Sequence, residues 1–350
     1  MADTQESNLD VQARKAPGGW LDEVNRADVD LRSFALTAGP KDVRVAIPVG
    51  NRPAFVAVSP NGAFVYVTNL SSQTVSVIDA STRTVIRNPI TFGRPFALAV
   101  TPDGGHVYVT KYLQGNVSVI DTAINAVVAT IPVGDFPWGV AVHSAGTRVY
   151  VTNLFSNTVS VIDTTPHAVI ATVQVGSLPF GVAVNPAGTR VYVANMNLDV
   201  AQNDYRISVI DTATHAVSTI QVGTASPPVG VNPAGVAVAP DGAHVYVTNQ
   251  GSNDVTVIET ATNSVISRIP VGTRPLGVAV APDGGHVYVA NTNTLEVATS
   301  DNTVSVIETT NHTVETTLPP AGEKPVGVAA TARNVYVAHA FSNIVSVIDV

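Results

Sequence analysis

The stretch "DFPWGVAVHSAGTRVYVTNLFSNTVSVIDTTPHAVIATVQVG", residues 135–176, decides the fold, because it holds four short valine-rich runs separated by turn residues. The tyrosine of its "VYV" run, Tyr150, has counterparts along the whole chain, at Tyr66, Tyr108, Tyr192, Tyr246, Tyr288 and Tyr336. Successive differences are 42, 42, 42, 54, 42 and 48, so a 42-residue unit occurs seven times with two expansions. A four-stranded unit of roughly 40 to 45 residues is typical of a propeller blade, and seven lies within the usual number of blades.

The two ends of the chain predict that the ring of blades is closed. The chain stops at "IVSVIDV", residues 344–350, after the third run of the seventh unit. The missing fourth run stands near the start as "VRVAIPVG", residues 43–50. We therefore predict an all-β protein: a seven-bladed β-propeller of four-stranded antiparallel blades over residues 41–350, in which an N-terminal strand completes the last blade.

Residues 1–40 lie outside the repeat and are predicted to be an N-terminal extension. Residues 1–16 are polar, which is typical of disorder. The apolar residues between Trp20 and Phe34 are enough for an ordered strap on the propeller. A lid or a partner contact is the alternative interpretation of the same residues.

Composition excludes several classes of protein. A formal net charge of −8 and a pI near 5.4 leave no overall basic surface for duplex nucleic acid. No run approaches the roughly 18 apolar residues of a membrane helix, so no membrane span is expected. There is no cysteine, which excludes disulfides and thiolate metal sites. The compartment stays open: cytoplasmic as written, or exported if a signal peptide has been removed.

The repeat motif itself resembles a known family. "VYVTN" stands at residues 65–69, 149–153 and 245–249, with close variants in the other units. These motifs resemble the YVTN-type (surface-layer or lactonase-like) β-propeller repeats of bacteria and archaea, and the resemblance covers about residues 41–350. It implies the fold, and for function it implies a range that runs from surface-layer and binding proteins to lactonases, virginiamycin B lyase and the heavy chain of methylamine dehydrogenase.

Function is expected where the units differ. Insertions at 196–206, 224–235 and 292–302 all fall on one predicted face, where the first strand of each blade begins and the second strand ends. We call this the mouth face. Loops on a rigid scaffold are where binding residues concentrate, so this face is also the one on which another protein would be expected to dock.

The residues beside the proline that opens each unit divide the mouth into two arcs. Before the proline stand Arg52, Arg94, Phe136, Leu178, Asn232, Arg274 and Lys324. Four of these are basic and belong to consecutive blades of the closed ring, and the residues after the proline in units 2 to 4 are aromatic. A basic arc facing an aromatic arc suits an anionic ligand with an apolar or aromatic body. The predicted ligand-binding residues are therefore Arg52, Arg94, Phe96, Phe136, Trp138, Phe180, Arg274 and Lys324. The alternative is that the cations are solvated and the aromatic rings only pack between blades.

A second position singles out three candidate catalytic residues. Three residues after each repeat tyrosine the sequence has asparagine in five units, but Lys111 in unit 2 and His339 in unit 7. An imidazole can transfer protons near neutral pH, and Lys111 is followed by Tyr112, which adds a hydroxyl. We predict His339, Lys111 and Tyr112 as catalytic candidates.

Three functions stay open from the sequence. The first is a small-molecule site at the mouth, for binding an anion or for acid/base catalysis by a lyase, isomerase or lactonase-like hydrolase. The second is a non-catalytic protein-interaction or cell-surface propeller, and the third is single-stranded nucleic acid binding by basic and aromatic residues. No cofactor motif is present, although loop carboxylates could bind a divalent cation.

Overall fold

The computed structural model describes residues 43–86, 90–91, 93–197, 205–225, 228–229, 231–292, 302–319 and 321–350. The predicted N-terminal extension and the middle of each predicted insertion lie outside the described residues. The boundary at residues 40 and 41 therefore stays a prediction.

The described residues form seven four-stranded antiparallel blades, as predicted. The first described strand, β1 (Val43–Pro48), belongs to the last blade. The strands of blades 1 to 3 follow in chain order: β2 (Pro53–Val58), β3 (Phe64–Asn69), β4 (Thr74–Asp79), β5 (Thr84–Val85) and β6 (Ile90–Thr91); β7 (Pro95–Val100), β8 (His106–Lys111), β9 (Asn116–Asp121) and β10 (Ala126–Pro132); β11 (Pro137–Val142), β12 (Arg148–Asn153), β13 (Thr158–Asp163) and β14 (Ala168–Gln174). In blade 1 the short strands β5 and β6 both pair with β4 and share the place of the outer strand.

The remaining blades repeat this order. Their strands are β15 (Pro179–Val184), β16 (Arg190–Asn195), β17 (Arg206–Asp211) and β18 (Val217–Gln221); β21 (Pro233–Val238), β22 (His244–Asn249), β23 (Asp254–Glu259) and β24 (Ser264–Pro270); β25 (Pro275–Val280), β26 (His286–Asn291), β27 (Val304–Glu308) and β28 (Thr313–Leu318); and β29 (Pro325–Ala330), β30 (Asn334–His339) and β31 (Ile344–Asp349). A separate hairpin of β19 (Thr224–Ala225) and β20 (Pro228–Val229) lies between blades 4 and 5, inside the predicted insertion at 224–235.

The ring closes as the sequence predicts. Strand β1 pairs antiparallel with β31, from Val43 opposite Ile348 to Pro48 opposite Ile344. On its other side the same blade contacts β2 of blade 1 through β29. The N-terminal strand therefore completes the seventh blade, and the described blades have no open seam.

The "VYVT" motif holds neighbouring blades together. Its tyrosine is buried in an apolar cluster that spans two blades; Tyr66, for example, packs with Leu98 of the next blade. Its threonine bonds across the same interface: the hydroxyl of Thr68 donates to the carbonyl oxygen of Phe96 at 2.6 Å, and that of Thr152 donates to the carbonyl oxygen of Phe180 at 2.8 Å. Since both the ring and the hydroxyl serve the interface, the motif is explained by the scaffold alone.

The first strands approach one another so closely that glycine is required in their third position. A Cβ atom on Gly235 would lie 2.2 Å from the carbonyl oxygen of Leu276, and one on Gly277 would lie 2.1 Å from that of Val326. Gly139, Gly181 and Gly327 occupy the same position in their blades. Blades 1 and 2 depart from the pattern, with Phe55 and Ala97.

The face opposite the mouth is built from tight turns. The carboxylate of Asp79 accepts hydrogen bonds from the backbone N–H groups of Ser81 and Thr82, as expected for an Asx-type turn. The hydroxyl of Ser81 also donates to this carboxylate. The hydroxyl bond, followed by the backbone bonds, lowers the pKa of Asp79 below its ordinary value. Within the described ranges no helix has the length and apolarity needed to cross a membrane.

Candidate ligand site at the mouth of the propeller

The residue before each opening proline has a left-handed backbone in all seven blades. Its φ runs from 45° at Arg94 to 58° at Phe136. The turn is held through the backbone groups of this residue: in blade 1 the N–H of Leu70 donates to the carbonyl oxygen of Arg52, and the N–H of Arg52 donates to the side-chain oxygen Oδ1 of Asn343 in blade 7 at 2.8 Å. Because these bonds use only the N–H and C=O of the residue before the proline, its side-chain type is free to vary between blades.

The predicted basic arc is present, but its four members differ in exposure. Arg52 and Lys324 are 8% and 7% exposed, whereas Arg94 and Arg274 are half-buried. The ammonium of Lys324 lies 4.7 Å from the centroid of the Phe341 ring, a cation–π contact within blade 7. Two of the four cations are thus buried in the scaffold, and the other two keep accessible surface.

The predicted aromatic arc is a continuous packed cluster. The ring centroids of Phe96 and Trp138 lie 3.7 Å apart, and those of Trp138 and Phe180 lie 4.8 Å apart. Tyr112 packs edge-on against Phe136, at 5.0 Å, and against Phe96, at 5.9 Å. All five of these side chains are buried, so the rings pack between blades and form the wall of the mouth.

The repeat asparagine has a structural role that becomes clear from its partners. In blade 1, Asn69 Nδ2 donates to Ser76 Oγ of the same blade's third strand at 2.8 Å. Blades 3 and 4 repeat this bond at 2.9 Å, from Asn153 to Ser160 and from Asn195 to Ser208. The amide therefore ties the second strand to the third at the mouth face.

His339 takes over this structural bond in blade 7. Its Nε2 lies 2.8 Å from Ser346 Oγ, the counterpart of Ser76, and its side chain is 1% exposed. Burial lowers the pKa of His339 to about 4, opposed in part by the backbone of Gly322. A neutral imidazole that replaces an amide explains why histidine stands here. The catalytic role predicted for His339 stays a prediction.

Lys111 does not take over the bond, and this makes blade 2 different. Ser118 is the counterpart of Ser76, is fully buried, and has no hydrogen-bond partner for its hydroxyl in the described part of the chain. The carbonyl oxygen of the Asn116 side chain is also buried and without a partner there. Lys111 itself is half-buried, and burial lowers its pKa below the ordinary value.

Arg94 lies at the same end of blade 2 as Lys111. The next residue, Pro95, is paired with Lys111 across strands β7 and β8. The ion pairs found among the described residues are Arg83 with Asp349, at 2.7 Å, and His286 with Glu315, at 3.1 Å, so none involves Arg94 or Lys111. We call Arg94, Lys111, Asn116 and Ser118 the blade-2 niche.

Sequence reasoning found Arg94 and Lys111 but missed Asn116 and Ser118. Ser118 looks like every other repeat serine, and only the loss of its asparagine partner distinguishes it. The sequence does carry a signal three residues before the opening proline. Blades 1 and 3 have Gly50 and Gly134 there, packed so closely onto the repeat asparagine that a Cβ atom would lie 2.7 Å from its Cγ. Blade 2 has Phe92 at this position of the sequence, and Phe92 lies outside the described residues.

A cavity of about 130 Å³ lies in the central channel just inside the mouth. Its walls are apolar and come from the first strands, with Phe55, Leu98, Trp138, Phe180 and Leu276 as the largest lining side chains. No group of three or more histidine or carboxylate side chains in the described ranges is placed to hold a metal ion. The divalent cation that the sequence allowed therefore stays a prediction without assigned ligands.

Two family models match parts of the chain. The model for a YNCE-like beta-propeller matches residues 50–190, and the model for the 7-bladed beta-propeller lactonases matches residues 168–326. Together the two matches confirm the similarity to YVTN- and lactonase-like seven-bladed propellers. No curated protein sequence matches the chain.

The fold also matches a solved structure. A chain of the Kuenenia stuttgartiensis hydrazine synthase superposes with a TM-score of 0.75 at 23% sequence identity, covering 91% of this chain and 99% of that chain. At this identity the likeness concerns the fold alone.

Proposed function

We propose that this propeller binds a small anionic molecule at its mouth, with the blade-2 niche as the anion site. The observation that carries the proposal is the broken repeat in blade 2. Lys111 stands where a structural amide is expected, and the buried Ser118 hydroxyl that this amide would bind has no partner among the described residues.

The niche offers two cationic donors to one anion. Lys111 supplies an ammonium and Arg94 a planar guanidinium fork, and both side chains keep accessible surface. Charge-assisted hydrogen bonds are roughly twice as strong as neutral ones, and half-burial of both cations reduces competition from water. With no carboxylate paired to either cation in the described residues, an external anion would supply the missing negative charge.

The aromatic cluster supports an ordered site. Tyr112 follows Lys111 directly and is held edge-on by Phe96, Phe136 and Trp138. Packing of this kind fixes the backbone from which the Lys111 side chain extends. A binding group on a rigid element loses less conformational entropy when the ligand binds.

The proposal is tested by calorimetric titration of wild-type protein with acetate, benzoate and inorganic phosphate. Lys111→Gln and Arg94→Gln should each weaken binding of the preferred anion at least tenfold, because each removes a charge-assisted bond worth about 1.5–3 kcal/mol. Arg333→Gln removes an exposed cation from the opposite face and serves as the matched control. Equal affinities in wild type and both niche variants would contradict the proposal.

A second candidate function is hydrolysis of an anionic lactone, which the lactonase model match over residues 168–326 favours. The niche would then hold the anionic group of the substrate, and a second group would activate water. Proton release from a panel of carboxylated and phosphorylated lactones, followed in a pH-stat, tests this candidate. Turnover that Lys111→Gln lowers through KM supports it, and no turnover of any lactone counts against it.

A further inference from the structure

We infer that the face opposite the mouth carries two sites for a divalent transition-metal ion, each made by two histidines from neighbouring blades. His106 of blade 2 and His167 of blade 3 form one pair, and His244 of blade 5 and His312 of blade 6 form the other. We call them the paired histidines. The inference goes beyond the proposed anion site and does not depend on it.

The paired histidines occupy a junction that each blade makes with the next. One residue opens the second strand of a blade, and the other lies in the left-handed turn before the outer strand of the following blade. Between blades 4 and 5 this junction is an ordinary hydrogen bond, from Arg190 Nη1 to Asn263 Oδ1 at 3.5 Å. Among the junctions that the structure describes, imidazole meets imidazole only at the paired histidines.

The separation of the rings fits two ligands on one ion. The ring centroids of His106 and His167 lie 5.4 Å apart with planes at 67°. Those of His244 and His312 lie 5.3 Å apart with planes at 74°. A metal–nitrogen bond of about 2.0–2.1 Å puts the centre of an imidazole about 3.2 Å from the ion, so two imidazoles at a tetrahedral angle have centres about 5.2 Å apart. The spacing therefore allows one ion to bind both rings of a pair.

The nitrogens of each pair can be reached from solvent. The side chains of His106 and His244 are half-buried, and in the described ranges their ring nitrogens make no hydrogen bond and keep accessible surface. In His312 the Nδ1 atom is buried, whereas Nε2 keeps accessible surface. A metal ion would therefore bind His312 through Nε2.

A tyrosine behind each pair orients the second imidazole. Tyr108 Oη lies 2.9 Å from His167 Nδ1. Tyr246 packs on His312 in the same way, with ring centroids 6.2 Å apart against 6.0 Å in the first pair. When Nδ1–H donates to the tyrosine oxygen, the lone pair of Nε2 is left for a metal, and metal-binding histidines are commonly held in this way through their other ring nitrogen.

Charge and ligand type select the ion. Burial raises the pKa of Tyr108 to about 12, and the negative charges of Asp163 and Asp103 add to the shift. Burial and the charge of Asp241 do the same for Tyr246. Carboxylates near both pairs favour a cation, and imidazole ligands suit Zn²⁺, Cu²⁺ or Ni²⁺ rather than Mg²⁺ or Ca²⁺, which bind through oxygen. Each pair supplies two protein ligands, and water completes the coordination.

The test is calorimetric titration of the untagged full chain with ZnCl₂ at pH 7.5, with MgCl₂ as the comparison ion. We expect two Zn²⁺ ions per chain and no binding of Mg²⁺. His167→Asn and His312→Asn should each weaken one site at least tenfold, so that one Zn²⁺ ion binds, and the double variant should bind none at the same concentrations. Asparagine stands at this position in blades 2 and 5, as Asn125 and Asn263, so the variants keep a residue that the turn accepts.

His215→Asn and His286→Arg are the matched controls. They remove a histidine from the same two positions in other blades, where His215 has no second imidazole beside it in the described residues and His286 forms an ion pair with Glu315. Both controls should still bind two Zn²⁺ ions. Tyr108→Phe keeps the ring but removes the oxygen that orients His167, so it should weaken the first site about tenfold and leave the second unchanged.

Melting temperatures give a second readout. Zn²⁺ should raise the melting temperature of the wild type but not that of the double variant, because an ion that binds only the folded chain stabilises it. Absence of Zn²⁺ binding by the wild type, or two Zn²⁺ ions retained by the double variant, overturns the inference. Zn²⁺ binding that falls as much in His215→Asn and His286→Arg as in the paired variants assigns the metal to single histidines and also overturns it.

Discussion

His339→Asn should make the protein less sensitive to acid. In blade 7 the imidazole occupies the place of the repeat asparagine and bonds Ser346, so asparagine can restore the bond seen at Asn69 and Ser76. What it removes is a buried titratable group. Burial lowers the pKa of His339 from 6.5 to about 4, so the folded protein disfavours the charged imidazole.

The sign and size of the effect follow from proton linkage. Between pH 6.5 and about 4 the unfolded chain binds a proton at residue 339 that the folded chain does not, so stability is full above pH 6.5 and falls on acidification. For these two pKa values the loss at pH 5 is about 2 kcal/mol, and it approaches about 3 kcal/mol near pH 4. The variant should lack this part of the acid loss.

The assay is urea unfolding of wild type and His339→Asn at pH 7 and pH 5, followed by fluorescence and by circular dichroism to check that the transitions coincide. His143→Asn is the matched control, since it also removes a histidine where a neighbouring blade has asparagine, Asn185. Wild type should lose about 2 kcal/mol more than His339→Asn between the two pH values. Equal losses, or an imidazole of residue 339 that titrates near 6.5 by NMR, would refute the buried-histidine account.

Three other predictions follow from the repeat. Ser76→Ala should lower the free energy of unfolding by about 1–2 kcal/mol, because it leaves the buried Asn69 amide short of a partner. Ser118→Ala should leave the free energy of unfolding unchanged or raise it, because the Ser118 hydroxyl has no partner in the described part of the chain. Equal losses of stability for the two variants in urea unfolding would contradict the unpartnered hydroxyl of blade 2. The double variant Phe92→Gly/Lys111→Asn restores the glycine and the asparagine that blades 1 and 3 have at these two positions. It should be more stable than the Lys111→Asn single variant. A double-mutant cycle with zero coupling energy between the two positions would contradict this prediction. Burial lowers the pKa values of His167 and His312, and the neighbouring imidazoles of His106 and His244 lower them further. Replacing His167 and His312 with asparagine, the residue that other blades have as Asn125 and Asn263, should therefore reduce the fall in melting temperature between pH 7 and pH 5. An unchanged fall would show that protonation of these two histidines is not coupled to folding.

The fold could be predicted from the sequence because each blade repeats the same physical solution. The spacing of the tyrosines gave the number of blades, and "VRVAIPVG" at residues 43–50 predicted the closing strand that pairs with β31. Turn residues such as Asp79 could be assigned in advance, since an Asx turn depends only on local sequence. The closure of the ring followed from the repeat and from the two ends of the chain without any knowledge of side-chain contacts.

The candidate site could be predicted only in part. Departures from the repeat identified Lys111 and His339, but they look alike in sequence and differ in structure: His339 keeps the bond to its serine and Lys111 does not. That difference depends on whether one side-chain atom reaches another across the sheet. The burial of Arg52 and the packing of Tyr112 into an aromatic cluster likewise depend on contacts between blades, which a single repeat does not encode.

The affinity of benzoate for Lys111→Gln relative to wild type, measured by calorimetry at neutral pH, tests the central claim most directly. If the blade-2 niche is an anion site, the variant binds at least tenfold more weakly, while Arg333→Gln binds like the wild type. A dissociation constant for Lys111→Gln within twofold of the wild-type value would contradict the claim.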